Sequence, residues 1–407
     1  MKPGVLTLLL FVPPLVIAAD NESDPVINSN TILESGELSS TYHRVDSIEF
    51  NNGLYRFQVE SDIGEFELTS LAVLKKRLTE IKILSQAIEQ YKNQDEEFSD
   101  ELRSQLSLSG DSAVDFLTSP IKTARNLAGQ LSNNLDATLD GEDPFVRDRL
   151  NRYSLREPND PTVARHKRNA SYQLGLDMYS SNYKVQSFLN TIANARASGK
   201  VSAGVGLSSS FTTAKKQNEM DKKIKYILKN KTLSELKKYN VDLLLKLGIN
   251  KKLIKAFIEH LVLSPTNKTT IATYLSGLDK VSRLDSYLEV VLTADDEVVA
   301  LIFERLSKML FHYYKGTEKF SAFYNYKGQA AVLTESRRIV FFEYADLLIW
   351  SEGNEKKYTQ AAKHAMTSGY KGWEVVSLGK FSSLAGQQMK TLDFKHQADF
   401  LKSSATR

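Results

Sequence analysis

The spacing of apolar residues changes along this chain and decides which parts can form strands and which can form helices. Apolar and polar residues alternate over 45–69, and Asn51-Asn52-Gly53 separates the first two runs. Asn-Gly supplies the positive φ angles of a tight hairpin turn, so we expect a small antiparallel meander here. From Ser70 to Asn93 apolar residues recur every three or four positions, which predicts a long helix that packs on this meander.

Helical patterns dominate the middle of the chain. Thr232 and Glu235 have the spacing of a capping box, and Ser264-Pro265 has the form of another helix start. The last helix of this region is expected to follow Thr293 and to end near Tyr314. These patterns predict an all-helical region made of about five short elements.

The C-terminal part returns to strand-forming composition. Residues 319–326, 329–334 and 338–344 are rich in Phe, Tyr, Val and Ile, which predicts an antiparallel meander. A strand over 373–378, a helix from Ser382 or Ser383 to Met389 and a strand over 394–400 then predict a small strand-helix-strand unit. The expected fold class is therefore α+β and predominantly helical.

These patterns also predict how the chain is divided. The expected parts are a signal peptide (1–19), a flexible N-terminus (20–40), a β-meander with amphipathic helices (41–139), a charged linker (140–170), a helical domain (171–316) and a small α+β domain (317–407).

The first nineteen residues have the layout of a cleavable secretory signal. Lys2 precedes an apolar run over 5–17, and Ala18-Ala19 stands before Asp20. The run is shorter than the roughly 20 residues that a membrane-spanning helix needs. The chain has no cysteine, which excludes a disulfide framework and a lipid-modified N-terminus. We therefore expect an exported bacterial protein, cleaved after Ala19, that is periplasmic or associated with the outer membrane.

Charge is close to balanced overall but uneven along the chain. The formal net charge of +4 gives no case for binding nucleic acid. Residues 89–115 hold eight acids against two bases, which indicates a solvated linker with a helical start. Residues 215–255 hold thirteen lysines against four acids, a local balance of +9. This basic surface is either a solvated helical face or a site for an anionic membrane surface or an acidic envelope protein; its candidate residues are Lys215, Lys216, Lys222, Lys223 and Lys225.

Two segments raise the possibility of membrane contact. Residues 119–139 form an amphipathic helical pattern whose polar face carries little charge, so this helix is expected either to pack inside the protein or to rest on a membrane. Residues 197–210 consist of small residues and read as a hinge, a loosely packed helix end or a membrane-active glycine segment.

The densest group of polar side chains comprises Asp177, Tyr179, Ser181 and Asn182. One interpretation is a site for a small ligand or a cation, with Asp177 as its charged group. The structural alternative is a turn in which Asp177 accepts hydrogen bonds from backbone amides while Ser181 or Asn182 caps the next helix.

Catalytic and metal-binding motifs are absent from the sequence. No two of the six histidines have the spacing of a zinc site, and the Gly-x-Ser-x-Gly turn of hydrolases does not occur. Ser-x-x-Lys occurs at Ser119/Lys122, Ser181/Lys184 and Ser234/Lys237, but a Lys-Thr-Gly partner is absent from the sequence. We therefore expect no metal and no cofactor, and we favour a protein that binds or scaffolds over an enzyme. A hydrolase of envelope polymer remains an alternative, because catalytic carboxylates need no local motif.

Four segments, taken in order, resemble an uncharacterised family of exported bacterial proteins. They are LYRFQVESDIGEFELTSLAVLKKRLTEI, LGLDMYSSN, LGINKKLIKAFIEHLVLSPTNKTTI and LGKFSSLAGQQM. The resemblance implies bacterial export and a shared multidomain design, and it implies no activity. The chain departs from the family pattern at 197–210, where small residues replace a more apolar segment.

Overall fold

The computed structural model describes residues 21–93, 95–107, 157–201, 218–278, 280–326 and 329–404. Its fold is α+β and predominantly helical, as the sequence predicted. A three-stranded antiparallel sheet lies near the N-terminus and a five-stranded mixed sheet near the C-terminus. The predicted helix over 119–139 and most of the 197–210 segment lie outside the described residues.

The N-terminal part contains two one-turn helices, three strands and two longer helices. They are α1 (Ser29–Ile32), α2 (Ser35–Leu38), β1 (His43–Asn51), β2 (Leu54–Ser61), β3 (Phe66–Thr69), α3 (Leu71–Lys92) and α4 (Glu96–Ser107). Asn52 and Gly53 form the turn between β1 and β2 with φ angles of 49° and 89°, which confirms the predicted hairpin. Residues 21–40 differ from the flexible segment that we expected, because Leu33 is buried in the core and α1 and α2 are capped.

Helices alone make up the described middle of the chain. They are α5 (Pro161–Leu174), α6 (Tyr183–Ala197), α7 (Glu219–Asn230), α8 (Leu233–Lys246), α9 (Lys251–Glu259), α10 (Pro265–Leu275), α11 (Leu284–Val291) and α12 (Glu297–Gly316). The capping box of Thr232 and Glu235 is confirmed at the start of α8. Thr293 does not cap α12; the cap is Asp296, whose carboxylate accepts a hydrogen bond from the N–H of Val299 at 2.8 Å.

Two segments that we expected to be linkers contain packed helices. Residues 161–170, within the expected 140–170 linker, belong to α5, whose buried side chains are small except for Lys167 and Leu174. The ammonium group of Lys167 donates to Gln186 at 2.7 Å, so this lysine sits inside the protein rather than in water. Within the expected 89–115 linker, α4 buries Phe98, Leu102 and Leu106 on one face.

The C-terminal part contains seven strands and three helices among its described residues. They are β4 (Phe320–Tyr326), β5 (Gln329–Thr334), β6 (Arg338–Glu343), β7 (Leu347–Leu348), α13 (Glu352–Thr367), β8 (Gly372–Ser377), β9 (Lys380–Phe381), α14 (Ser383–Thr391), β10 (Phe394–Gln397) and α15 (Phe400–Ser404). The predicted meander and the strand-helix-strand unit join in one sheet of order β10-β8-β6-β5-β4, because β8 pairs in parallel with both β6 and β10. Helix α13 was not predicted from the sequence.

This mixed sheet is covered on both faces. Ile339 and Phe341 pack among the buried residues of α13 and α14, whereas Val340 and Phe342 pack among those of α11 and α12. Successive side chains of a strand point to opposite faces, so β6 contributes to two cores at once. The sheet thereby fixes α12, which carries part of the site described below.

A single carboxylate connects the two sheet-containing parts. Asp346 accepts hydrogen bonds from the backbone N–H groups of Tyr55 at 3.2 Å and Leu71 at 2.9 Å. The N–H of Leu347 also donates to the carbonyl of Gly53 at 3.1 Å. The start of α3 and the β1–β2 turn are therefore held by the segment that follows β6.

Candidate functional site

The four predicted site residues lie in the turn between α5 and α6. Gly175 ends α5 in the left-handed conformation with a φ of 73°, which lets the chain reverse direction. Asp177 accepts hydrogen bonds from the N–H of Tyr179 at 2.9 Å and from the hydroxyl of Thr266 at 2.5 Å. Asn182 caps α6 by accepting from the N–H of Lys184 at 3.1 Å. The turn thus has the features of the structural alternative, with Asn182 rather than Ser181 as the cap.

Glu80 of α3 lies beneath this turn and was not among the predicted residues. Its carboxylate accepts hydrogen bonds from the hydroxyl of Ser180 at 2.8 Å and from the side-chain amide of Asn182 at 3.0 Å. Arg77 forms a buried ion pair with the same carboxylate. Because Glu80 is about one hundred residues from the turn in sequence, no local motif connects the two.

Lys76 extends this group of charges toward α12. Its ammonium group lies 3.8 Å from Asp177 and 3.9 Å from Glu297. Burial alone would lower the pKa of Lys76, but Asp177, Glu297, Glu80 and Glu304 raise it above its ordinary value. Lys76 is therefore charged and surrounded by acids. We call these six residues the acidic network: Lys76, Arg77, Glu80, Asp177, Glu297 and Glu304.

Glu297 and Glu304 respond in opposite ways to the same surroundings. Burial would raise the pKa of Glu297, but Arg77 and Lys76 bring it below its usual range, assisted by the Ser181 hydroxyl. Burial does raise the pKa of Glu304, and Lys76 and the side-chain amide of Asn267 offset it only in part. Its carboxylate accepts from Asn267 at 2.8 Å. The burial of Glu304 is thus compensated less fully than that of Glu297.

A cavity of about 350 Å³ opens beside the acidic network, and we call it the central cavity. It lies between α5, the turn, α7, α10 and α12, so it is lined by five separate elements. Asp177 and Glu304 line one part of it, and Lys225 and Lys229 of α7 line another. The two residue sets that the sequence singled out therefore meet here, through Asp177 and Tyr179 of the first and Lys225 of the second.

Tyr179, which lines this cavity, has a buried hydroxyl without a hydrogen-bond partner in the described part of the chain. The residue is 1% exposed, and its ring packs with Met178, Ile227 and Leu236. Burial raises the pKa of Tyr179 to about 12, so the hydroxyl keeps its proton and can donate it in a hydrogen bond. A buried hydroxyl without a partner is unfavourable, and a bound ligand would supply the acceptor.

The predicted lysines occupy different positions. Lys225 lines the cavity, and among the described residues no carboxylate lies within 4.0 Å of its ammonium group. Lys222 is exposed and pairs with Glu219 at 2.7 Å, and Lys223 is exposed beside it. Lys215 and Lys216 lie outside the described residues. Lys229, which was not predicted, lies 4.2 Å from the centre of the Tyr172 ring.

Other cavity charges are already paired. Asp221 accepts hydrogen bonds from the ammonium group of Lys308 at 2.6 Å and from the hydroxyl of Tyr274 at 2.5 Å. Arg168 forms an ion pair with Glu157. Lys225, Lys229 and Tyr179 therefore line this cavity without a hydrogen-bond or ion-pair partner for their polar groups among the described residues.

A second, more open groove of about 810 Å³ runs between α4 and α6. Amide and hydroxyl side chains line it, including Gln105, Asn190 and Asn194. Lys200 and Glu101 of its lining pair with each other at 2.8 Å, and Asp160, which also lines it, caps α5. This groove therefore offers mainly polar groups.

The geometry restricts the chemistry that the described residues can perform. No group of three or more His, Cys, Asp or Glu side chains among them is arranged to hold a metal ion. The central cavity does gather the carboxylates of Asp177 and Glu304, so the hydrolase alternative stays a prediction. None of the helices in the described ranges is long and apolar enough to cross a membrane.

Comparison with known proteins adds no family to these observations. No protein-family model, no curated protein and no solved structure matches this chain.

Proposed function

We propose that this chain is an exported bacterial envelope protein that works by binding, and that the central cavity is its binding site. The observation that carries the proposal is the Tyr179 side chain, which lines the cavity and whose buried hydroxyl has no partner among the described residues. The unpaired ammonium group of Lys225 at the same cavity adds a charge that a ligand can meet. A cavity of about 350 Å³ falls within the range of roughly 300–1,000 Å³ that small-molecule sites occupy.

Export rests on the first nineteen residues, whose pattern favours cleavage after Ala19. Expression of the full chain in a Gram-negative host, followed by fractionation and N-terminal sequencing, tests this part. The expected result is a periplasmic or outer-membrane-associated protein that begins at Asp20. Recovery of the uncut chain in the cytoplasm would contradict export.

The binding site is tested with a cavity-filling variant. Leu228 lines the cavity on α7, so Leu228→Trp should fill it, whereas Tyr226→Trp adds an indole to the exposed face of the same helix. The probes are inorganic phosphate, acetate, putrescine, glucose, the common amino acids and a set of dipeptides. At least one probe should raise the melting temperature of wild type and Tyr226→Trp by a few degrees, because a ligand stabilises the state that it binds.

The same probe should leave the melting temperature of Leu228→Trp unchanged. The melting curve of Leu228→Trp without a probe shows whether this variant is folded. A panel without any stabilising compound, or one that stabilises Leu228→Trp equally, would reject the cavity as the binding site.

A second candidate function is association with an anionic membrane surface, and the face of α7 favours it. Tyr226 of α7 is 68% exposed and lies one helical turn from Lys222 and Lys223. Tyr172 of α5 is 47% exposed, and Lys229 of α7 lies over its ring. Exposed tyrosines among lysines suit the headgroup region of an anionic bilayer.

Vesicles of phosphatidylcholine, with and without phosphatidylglycerol, test this candidate. Lys222→Glu with Lys223→Glu should reduce co-sedimentation with the anionic vesicles, whereas Lys251→Glu with Lys252→Glu on α9 is the matched control. Equal loss in both double variants, or no binding by wild type, would remove the membrane function.

A further inference from the structure

The acidic network carries more negative than positive charge. Lys76 and Arg77 face Glu80, Asp177, Glu297 and Glu304, which leaves two carboxylates in excess. Arg305 also lies near Glu304, but it interacts more strongly with Asp346. Of the four acids, Asp177 and Glu304 are the two that line the central cavity. A cationic group in the cavity would therefore meet an uncompensated negative charge.

The α7 side of the same cavity carries two lysines beside Asp221, whose charge is paired with Lys308. Lys225 and Lys229 line it, and neither forms an ion pair with a carboxylate of the described residues. The Tyr179 hydroxyl adds a neutral donor that lacks an acceptor. An acidic group of a ligand would thus find two ammonium groups and one hydroxyl.

We propose that the central cavity binds a small zwitterion that carries an ammonium and a carboxylate group, as free amino acids and short peptides do. The ammonium group lies at Asp177 and Glu304, and the carboxylate lies at Lys225 and the Tyr179 hydroxyl. This assignment rests on the proposed function, because it requires that the cavity binds a ligand. Leu176, Met178 and Ile224, which also line the cavity, provide apolar contact for the rest of the ligand.

Each of two simpler kinds of ligand would pair with only one of the two charged sides of the cavity. An anion such as phosphate would meet Lys225 but would leave Asp177 and Glu304 uncompensated. A diamine such as putrescine would meet the acids but would place a second ammonium group beside Lys225. Two ammonium groups placed side by side repel each other.

Calorimetric titration of the purified mature protein tests the assignment. The probes are the amino acid or dipeptide that stabilises the protein most, its N-acetyl derivative and its carboxamide derivative. The zwitterion should bind about tenfold to 100-fold more tightly than either derivative, since each lacks one charge-assisted interaction. Comparison of the free amino acid with the dipeptide identifies which of the two sources the cavity accepts.

Charge-removing variants show which residue meets which group. Asp177→Asn and Glu304→Gln should weaken the binding of the zwitterion and of the carboxamide derivative. Binding of the N-acetyl derivative should be almost unaffected. Lys225→Gln should weaken the binding of the zwitterion and of the N-acetyl derivative. Binding of the carboxamide derivative should be almost unaffected. Lys223→Gln is the control, because this lysine lies on the same helix but does not line the cavity.

The outcomes separate this inference from the proposed function. If phosphate, acetate, putrescine or glucose stabilises the protein through the cavity and no zwitterion does, the inference is wrong and the proposed function stands. If an N-acetyl derivative binds as tightly as its parent, Asp177 and Glu304 do not bind the ammonium group and this assignment is wrong. If no probe in the panel stabilises the protein, both proposals fail.

Discussion

The carboxylate of Asp346 accepts a hydrogen bond from the backbone N–H of Leu71 at 2.9 Å, although the two residues lie 275 positions apart in sequence. The same carboxylate accepts from the N–H of Tyr55 at 3.2 Å. One side chain from the C-terminal part therefore accepts hydrogen bonds from a backbone N–H in the first turn of α3 and from a backbone N–H of β2.

Removal of this acceptor should destabilise the protein. Asp346→Ala leaves two partly buried N–H groups without a partner, so we expect the free energy of unfolding to fall by about 2–4 kcal/mol. Asp346→Asn keeps an oxygen acceptor and removes the buried charge, so it should not lower the free energy of unfolding at pH 7. Urea denaturation followed by circular dichroism measures both. Equal losses in the two variants would show that the charge, and not the acceptor, matters.

The same residue should make stability depend on pH. Burial raises the pKa of Asp346 from an ordinary value of 3.8 to about 6, so the folded protein keeps a proton that the unfolded chain has already lost. This contribution to stability is complete below about pH 4 and disappears as the pH rises through about 6. Relative to Asp346→Asn, wild type should lose about 2–3 kcal/mol between these limits. A difference that stays constant from about pH 3.5 to pH 7 would contradict the assignment.

Glu22 should hold the N-terminal segment on the C-terminal part. Its carboxylate accepts hydrogen bonds from the N–H of Trp350 at 2.6 Å and from the hydroxyl of Ser382, and its own N–H donates to the Trp350 carbonyl at 2.9 Å. Glu22→Ala should speed hydrogen exchange at the Trp350 amide, because its acceptor is lost. Asp24→Ala, at an exposed neighbouring position, is the control and should leave that amide protected.

Two glycines should respond to alanine in opposite directions. At Gly379 a Cβ atom would lie 2.2 Å from the carbonyl oxygen of Asp346, so Gly379→Ala must push two backbone segments apart. We expect a loss of about 1–3 kcal/mol in the free energy of unfolding. At Gly353 in α13 the nearest atom is 3.9 Å away, so Gly353→Ala should stabilise by about 0.5–1 kcal/mol. Thermal melting of both variants checks the signs.

Tyr179 and Tyr274 should differ in what their hydroxyl contributes to stability. Tyr179→Phe removes a hydroxyl without a partner, so the free energy of unfolding without ligand should stay the same or rise by up to about 1 kcal/mol. Tyr274→Phe removes a donor to Asp221 and should lose about 1–3 kcal/mol. Urea denaturation compares them. A large loss in Tyr179→Phe would mean that its hydroxyl has a partner within the protein.

Local chemistry explains which elements were predictable. Asn52-Gly53 determines a turn by itself, and Thr232 with Glu235 determines a helix start by itself, so both are confirmed. Helix α13 was missed because its buried positions after Tyr358 are alanines, which give a weak apolar pattern. Its Ser351 cap and the spacing of Tyr358, Ala361 and Ala365 were the available indications.

The site was predictable only in part. Asp177 and Asn182 stand out because they interrupt an apolar stretch, whereas Glu80 and Glu304 look like ordinary solvated charges of amphipathic helices. Only the tertiary fold brings Glu80 to the turn and Glu304 to the cavity. Arg77 and Glu80 did carry one indication, because both lie among the buried positions of α3.

The hydrogen bond between Asp346 and Leu71 can form only late in the synthesis of the chain. Ribosomes add about 5–20 residues per second, so Asp346 emerges tens of seconds after the helix whose first turn it completes. A growing chain that ends before Asp346 holds the whole N-terminal sheet and α3 but lacks their shared acceptor. The chain therefore cannot reach its final form until most of it has been made.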